Sequence, residues 1–306
     1  MLQQTVVNTV IPYYKNFLEK WPNLRSFYSA TLEEILIVWQ GLGYYQRARN
    51  LFKAKEYLKN HKLEIDSKSL INLPGIGNYS SCSIAAILKD EACTVVDGNI
   101  ERILSRVFGL NRSEKKFKKK IFNIAETLTP KKNNRFYFQS LMDLANIICK
   151  SKTPECEICP IHEFCESKNR TKFEIKKTYK KKNKIGISFL IKYKNSFLVG
   201  VSKKRILQGL YQLPETEYQE IERGKNVKNI FNQMILSWKK KKNILEKFRV
   251  VDFVEHNFSH FHLNLMLVEI VLYKKIEIDE FSWLTLNEYR KKPMSSLMRK
   301  VVQLIK

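Results

Sequence analysis

"LPGIGNYSSCSIAAILKDEACTVVDGN", residues 73–99, decides how this chain is read. A turn, Leu73-Pro-Gly-Ile-Gly77, opens onto an apolar helix, and Asp97 follows twenty residues after Gly77. Glycines let the backbone turn with its N–H groups outward, and a helix N-terminus adds partial positive charge. The product is a small anion site suited to a DNA phosphate; the plainer reading is a corner between two helices. Asp97 precedes Gly98, Asn99 and an apolar stripe of Ile100, Ile103, Leu104 and Val107. It reads as a helix N-cap. It also reads as a charge placed to stabilise a cation, since cleaving an N-glycosidic bond builds an oxocarbenium-like sugar. One aspartate can do both.

Working outward, the whole chain has 306 residues, 44% of them hydrophobic, which suits two domains with real cores. The net charge of +25 points to a polyanionic partner, most simply nucleic acid, with part of it reflecting a composition rich in Lys, Asn and Ile. No run of 18 apolar residues suggests a membrane span, and "MLQQTVVNTVIPYYKNF" lacks the layout of a secretory signal, so a cytoplasmic protein is expected. Four of six cysteines crowd into residues 149–165 as C-x6-C-x2-C-x5-C, with Pro154 and Pro160 stiffening the loops. Four thiolates in one turn-rich stretch can enclose a [4Fe–4S] cluster or a zinc ion, and spacing alone leaves both open. Cys82 and Cys93 stand in apolar surroundings and read as small core residues.

The first half reads as helical. Val6, Val10, Tyr14 and Phe17 suggest one face of an opening helix that Pro12 should kink. Thr31 to Glu34 form a capping-box start, and "GLGYY" (41–45) breaks the chain before a helix running to about Leu58. No alternating pattern precedes residue 170. Residues 167–184, "SKNRTKFEIKKTYKKKNK", read as a basic linker. Beyond it Ile185, Ile187, Phe189, Ile191 and Tyr193 alternate, "KNS" turns and "FLVGV" returns, a hairpin. Leu263, Leu265 and Leu267 alternate again, and "SSLMRKVVQLI" closes an α+β domain with a helix whose Leu297, Val301 and Leu304 share a side.

The ordered set of hairpin, "VVDGN" and four cysteines over residues 1–165 resembles the helix–hairpin–helix DNA glycosylases, the endonuclease III superfamily. The resemblance implies a mainly α glycosylase domain over 1–166 with an iron–sulfur loop at 149–165, a linker at 167–184 and an α+β Nudix-like domain over 185–306. By the same resemblance Cys149, Cys156, Cys159 and Cys165 hold [4Fe–4S], Gly75 and Gly77 grip phosphate, and Asp97 is catalytic. The bifunctional branch has a Schiff-base Lys two residues beyond the hairpin; here Tyr79 stands there, as in adenine glycosylases of MutY type. "MLQQT" (1–5), "GLGYYQRARN" (41–50), "GLYQLPE" (209–215) and "FSHFHLNL" (258–265) point the same way.

That branch implies base excision repair: removal of adenine mispaired with 8-oxoguanine or guanine in double-stranded DNA, by a monomer working at the nucleoid. Leu2, Gln3, Gln4 and Tyr44 should wedge into the duplex or contact the strand, Asn99 should orient Asp97, and Tyr79 should line the pocket. Phe258, Ser259 and His260 should recognise 8-oxoguanine. "EYQEIERGKNVKNIF" (217–231) lacks the acidic Nudix box, so nucleotide hydrolysis is not expected. The family's general-acid Glu lies two residues before the Met of "MLQQT", where this sequence starts, so the chain reads as N-terminally truncated. Two other functions are weighed beside it: a non-catalytic mismatch binder, because that Glu is missing, and an endonuclease III-like glycosylase/lyase, against which Tyr79 in place of Lys and the extra domain argue.

Overall fold

The computed structural model describes residues 1–168, 181–203, 207–221, 227–258 and 260–305. Most of the basic stretch at 167–184 lies outside the described residues, as does Ser259. The helices before residue 150 are α1 (Val7–Lys20), α2 (Leu24–Tyr28), α3 (Leu32–Val38), α4 (Gln46–Leu58), α5 (Ser67–Leu70), α6 (Asn78–Lys89), α7 (Gly98–Val107), α8 (Phe117–Leu128) and α9 (Asn134–Asp143). The strands are β1 (Lys182–Tyr193), β2 (Ser196–Val201), β3 (Tyr211–Gln212), β4 (Gln219–Glu220), β5 (Phe248–Asn257), β6 (Phe261–Val271) and β7 (Phe281–Thr285). Helices α10 (Val227–Lys241), α11 (Leu286–Arg290) and α12 (Ser296–Gln303) belong to the same half. Two compact units result, Met1–Phe52 with Tyr179–Lys306, and Lys53–Thr178. Among the described residues no helix is long and apolar enough to cross a membrane.

The first unit is built on a mixed sheet ordered β3-β2-β1-β6-β5, with β7 added to β2 and β4 to β1. β1 and β6 run parallel, and the tight β1–β2 hairpin turns through Lys194 in the left-handed region. Ile185 through Ile191 of β1 are all buried, the alternating residues and those between them alike. Ile185, Ile187, Phe189 and Ile191 pack with Phe231, Met234 and Ile235 of α10. Leu190 joins Leu263, Leu265 and Leu267 of β6 and Leu297 and Val301 of α12 on the opposite side. A central strand covered on both faces has no solvent side, so its alternation marks two apolar layers.

The N-terminal helices form a further core of the same unit, around Ile35, Leu36, Trp39 and Tyr45, which Leu210 joins. The Thr31 cap is made as the sequence suggests: Glu34 N–H donates to the Thr31 hydroxyl and Thr31 N–H to the Glu34 carboxylate. The stripe assigned to α1 is corrected. Val10, Tyr13 and Phe17 face the core, while Val6 precedes the helix and Tyr14 is exposed with Val7, Ile11 and Leu18. The helix continues through Pro12.

In the second unit the stripe of α7 serves two cores. Ile100 and Leu104 pack with Phe117, Ile121 and Phe138, while Ile103 packs with Leu144 and Ala145 beside Cys149 and Cys159. Cys82 lies in the first of these cores as expected, but it is not a free thiol: it is bonded to Cys93 as a disulfide. Eleven residues separate the two in sequence, and the return from α6 brings their Cα atoms within 5.4 Å.

Candidate active site and cysteine centre

The hairpin joins α5 to α6, and buried Leu70, Leu73 and Ala85 hold the two helices together. Asp66 starts α5 by accepting from Ser69 N–H at 2.9 Å. Within the turn Ile76 N–H donates to the Leu73 carbonyl at 3.0 Å, and Gly75 has φ +87°. Gly77 gives α6 no capping side chain, and a Cβ there would meet nothing within 4 Å. The end of α6 is therefore open to an incoming anion. An L-residue in the left-handed region costs roughly 1–2 kcal/mol. If this turn grips a DNA phosphate, as the resemblance implies, Gly75→Ala is expected to weaken binding to every duplex alike, matched or mispaired, because phosphate contacts carry no sequence information. Fluorescence anisotropy against a salt series checks this; a loss confined to one mispair contradicts it.

Asp97 is the N-cap of α7. Its Oδ1 accepts from Asn99 N–H at 2.9 Å and Ile100 N–H at 2.8 Å. Its Oδ2 accepts from the Asn99 side-chain amide at 3.2 Å. The Asn99 side-chain oxygen in turn accepts from Arg102 Nη1 at 3.0 Å, and Arg102 donates from Nε to the Cys149 backbone carbonyl and from Nη2 to that of Ala145, both at 2.9 Å. A continuous line of hydrogen bonds thus runs from the cysteine loop to the carboxylate. Tyr79, on the first turn of α6, is 40% exposed, and its ring lies against Phe138. Burial first, and then the charge of Asp97, pushes the Tyr79 hydroxyl above its ordinary pKa, so it stays protonated beside the carboxylate.

Cys149, Cys156, Cys159 and Cys165 line one cavity, closed by Ile103, Val107, Leu144, Ile148 and Ile161. Burial, and then the thiols of Cys165, Cys149 and Cys159, push the Cys156 thiol up, while the Arg106 charge opposes them. Arg106 Nη1 lies 3.2 Å from the Cys149 sulfur and 2.7 Å from the Lys150 carbonyl. Among the described residues no group of three or more His, Cys, Asp or Glu side chains is arranged around a single ion. The four soft thiols, the apolar shell and the cationic neighbour fit a group bound by thiolates.

Leu2, Gln3, Gln4 and Tyr44 belong to the other unit. There Arg47 donates to the carbonyls of Met1 and Gln3, and its guanidinium lies over the Tyr44 ring at 5.3 Å. Leu2 is 58% and Tyr44 54% exposed. Phe258, also in that unit, stacks on Phe261 at 4.4 Å, its N–H donates to the Phe261 carbonyl, and His260 sits edge-on to Phe261. Lys181 Nζ holds the Phe258 carbonyl at 2.9 Å.

The profile of the HhH-GPD superfamily of base excision DNA repair proteins matches residues 1–131, and that of the NUDIX domain matches 189–304. An adenine DNA glycosylase of Buchnera aphidicola from Schizaphis graminum is 35% identical over 295 residues, covering 90% of this chain and 80% of that protein. The chain belongs to the adenine DNA glycosylase family. A second Buchnera aphidicola relative, from Baizongia pistaciae, is 32% identical and covers 100% of this chain and 87% of its own length. The human adenine DNA glycosylase is 37% identical over 180 residues, 57% of this chain and 33% of that protein.

Arg47, Arg102 and Arg106 are the functional candidates that motif reading passes over. The usable signal for two of them is the pair Arg102 and Arg106, one turn apart on α7, a helix already committed to burying Ile103. An arginine at the edge of a buried stripe needs oxygen or sulfur partners inside the protein.

Proposed function

We propose that this chain removes adenine from DNA in base excision repair, hydrolysing the N-glycosidic bond of adenine opposite 8-oxoguanine or guanine. The observation that carries this is the Asp97 carboxylate, fixed at the N-terminus of α7 and backed by Asn99 and Arg102, in a chain whose relatives are named adenine DNA glycosylases. Asp97 stands ready to stabilise the oxocarbenium-like sugar as the base departs. Asn99 holds its Oδ2 and so fixes the orientation of the charge, and Tyr79 lines the same pocket as a neutral hydroxyl. The α5–α6 hairpin with Gly75 and Gly77 anchors a phosphate, and Leu2, Gln3, Gln4 and Tyr44 engage the strand around a flipped nucleotide. Cys149, Cys156, Cys159 and Cys165 would hold a [4Fe–4S] cluster, which when bound makes their loop rigid.

The family profiles at 1–131 and 189–304 support a glycosylase domain over 1–166, a linker at 167–184 and a Nudix-like domain over 185–306. The last of these would recognise 8-oxoguanine through Phe258, Ser259 and His260. Ser259→Ala is then expected to narrow the preference for adenine·8-oxoguanine over adenine·guanine by ~1–2 kcal/mol, the scale of one polar contact. Single-turnover adenine release on both duplexes measures it, and an unchanged ratio removes Ser259 from the site. The same assay tests the function as a whole: no release of adenine from either duplex would leave only a mismatch binder. A lyase is disfavoured by the residue at position 79, since a tyrosine offers no amine for a Schiff base. Borohydride should trap no covalent DNA adduct.

A further inference from the structure

We propose that Arg106 sets the electron affinity of the cysteine-bound cluster and shields its first ligand. The inference rests on the cluster reading above. Arg106 is only 7% exposed, and a guanidinium is costly to bury unless its donors are satisfied. Its Nη1 reaches the Cys149 sulfur at 3.2 Å and the Lys150 carbonyl at 2.7 Å, and its Nη2 reaches the Ser151 carbonyl at 2.9 Å. Its own carbonyl lies 3.5 Å from the Cys165 sulfur. One residue of α7 thus stands between the first and last cysteines of the motif.

Cys149 as an iron ligand is a thiolate, a charge of the sign that Arg106 needs. A donor and a positive charge at a ligand sulfur favour the more reduced, more negative cluster and so raise its reduction potential. Solvent does not provide this donor, because the guanidinium is buried. Arginine suits the position better than lysine: its planar fork serves the sulfur and two carbonyls at once, whereas an ammonium is one compact point charge. Arg102, one turn earlier, hydrogen-bonds the Cys149 carbonyl and not its sulfur, although its charge also acts on that thiol. It is a built-in control for the part that loop geometry and a nearby charge play without a bond to the sulfur.

The test uses the full chain purified without oxygen, with Arg106→Gln, Arg106→Lys and Arg102→Gln beside the parent. Iron and sulfide are counted, the cluster potential is read by protein-film voltammetry, and iron loss to a ferrous chelator is timed. Arg106→Gln is expected to move the potential negative and to lose iron several-fold faster. Arg106→Lys should fall between it and the parent, and Arg102→Gln should move the potential by much less than Arg106→Gln. If Arg106→Gln holds no cluster, the Lys variant decides: a potential below the parent's supports the inference. Equal potentials in loaded parent and Arg106 variants overturn it. So does an equal shift in Arg102→Gln, which would mean that nearby charge and loop geometry, not the sulfur contact, set the potential. A parent without iron and sulfide overturns the cluster reading itself.

Discussion

Asp97→Asn is expected to slow single-turnover adenine release by at least ~10²–10³-fold, the scale on which one preorganised electrostatic stabiliser acts. The substitution separates the two duties of this residue. Asparagine is as good an N-cap as aspartate. Its side-chain oxygen can still accept from Asn99 N–H and Ile100 N–H, the two bonds that start α7. The fold of the second unit and the affinity for DNA should therefore change little. What disappears is the negative charge at Oδ2, whose field acts on Tyr79, together with the bond that oxygen accepts from the Asn99 amide. Asp97→Ala should lose the charge and about 1 kcal/mol of capping as well. Adenine release, thermal unfolding and duplex affinity measured on the same preparations check the separation. An Asn variant as fast as the parent means that a helix cap is all Asp97 provides; one that unfolds as readily as the Ala variant means that the cap was misjudged.

The elements that the sequence made legible are those with strong local chemistry. Thr31 and Glu34 cap α3 because both partners of that bond lie within one turn. Gly75 marks the hairpin because few other residues adopt its φ, and Asp97 marks the start of α7 for the same local reason. What stayed hidden depends on residues far apart in the chain. Which side of α1 is buried was misread because Val7, Ile11, Tyr14 and Leu18 form as good a stripe as Val10, Tyr13 and Phe17, and only tertiary packing chooses between them. The double burial of β1 needs β6, some seventy residues later, and two helical layers, α10 and α12. Arg102 and Arg106 find carbonyls more than forty residues away, so no motif could carry them. The bond between Cys82 and Cys93 is of the same kind: each residue alone looks like core, and their meeting is a property of the return from α6.

Cys156→Ser should empty the cysteine centre, leaving far fewer than the roughly four irons per chain that one [4Fe–4S] cluster carries. A hydroxyl is a poor replacement for a thiolate toward iron. The consequences should spread because this loop is tied to both the core and the site. Cys149, Cys159 and Ile161 pack against Ile103, Leu144 and Ala145, so a loosened loop exposes apolar surface of the second unit. Arg106 keeps the Lys150 and Ser151 carbonyls but loses a ligated thiolate among its partners, which weakens the support of a buried charge. Arg102 holds the Cys149 carbonyl at one end and Asn99 at the other, so disorder in the loop reaches the support of Asp97. The variant should therefore melt several degrees lower, lose affinity for all duplexes together, and release adenine more slowly than its weaker binding explains. Saturating single-turnover assays separate the last effect from the second. Iron and sulfide analysis, thermal unfolding and anisotropy complete the measurement. A variant that keeps its iron and its rate removes Cys156 from the ligand set, and a parent protein holding stoichiometric zinc without sulfide replaces the cluster with a structural zinc site.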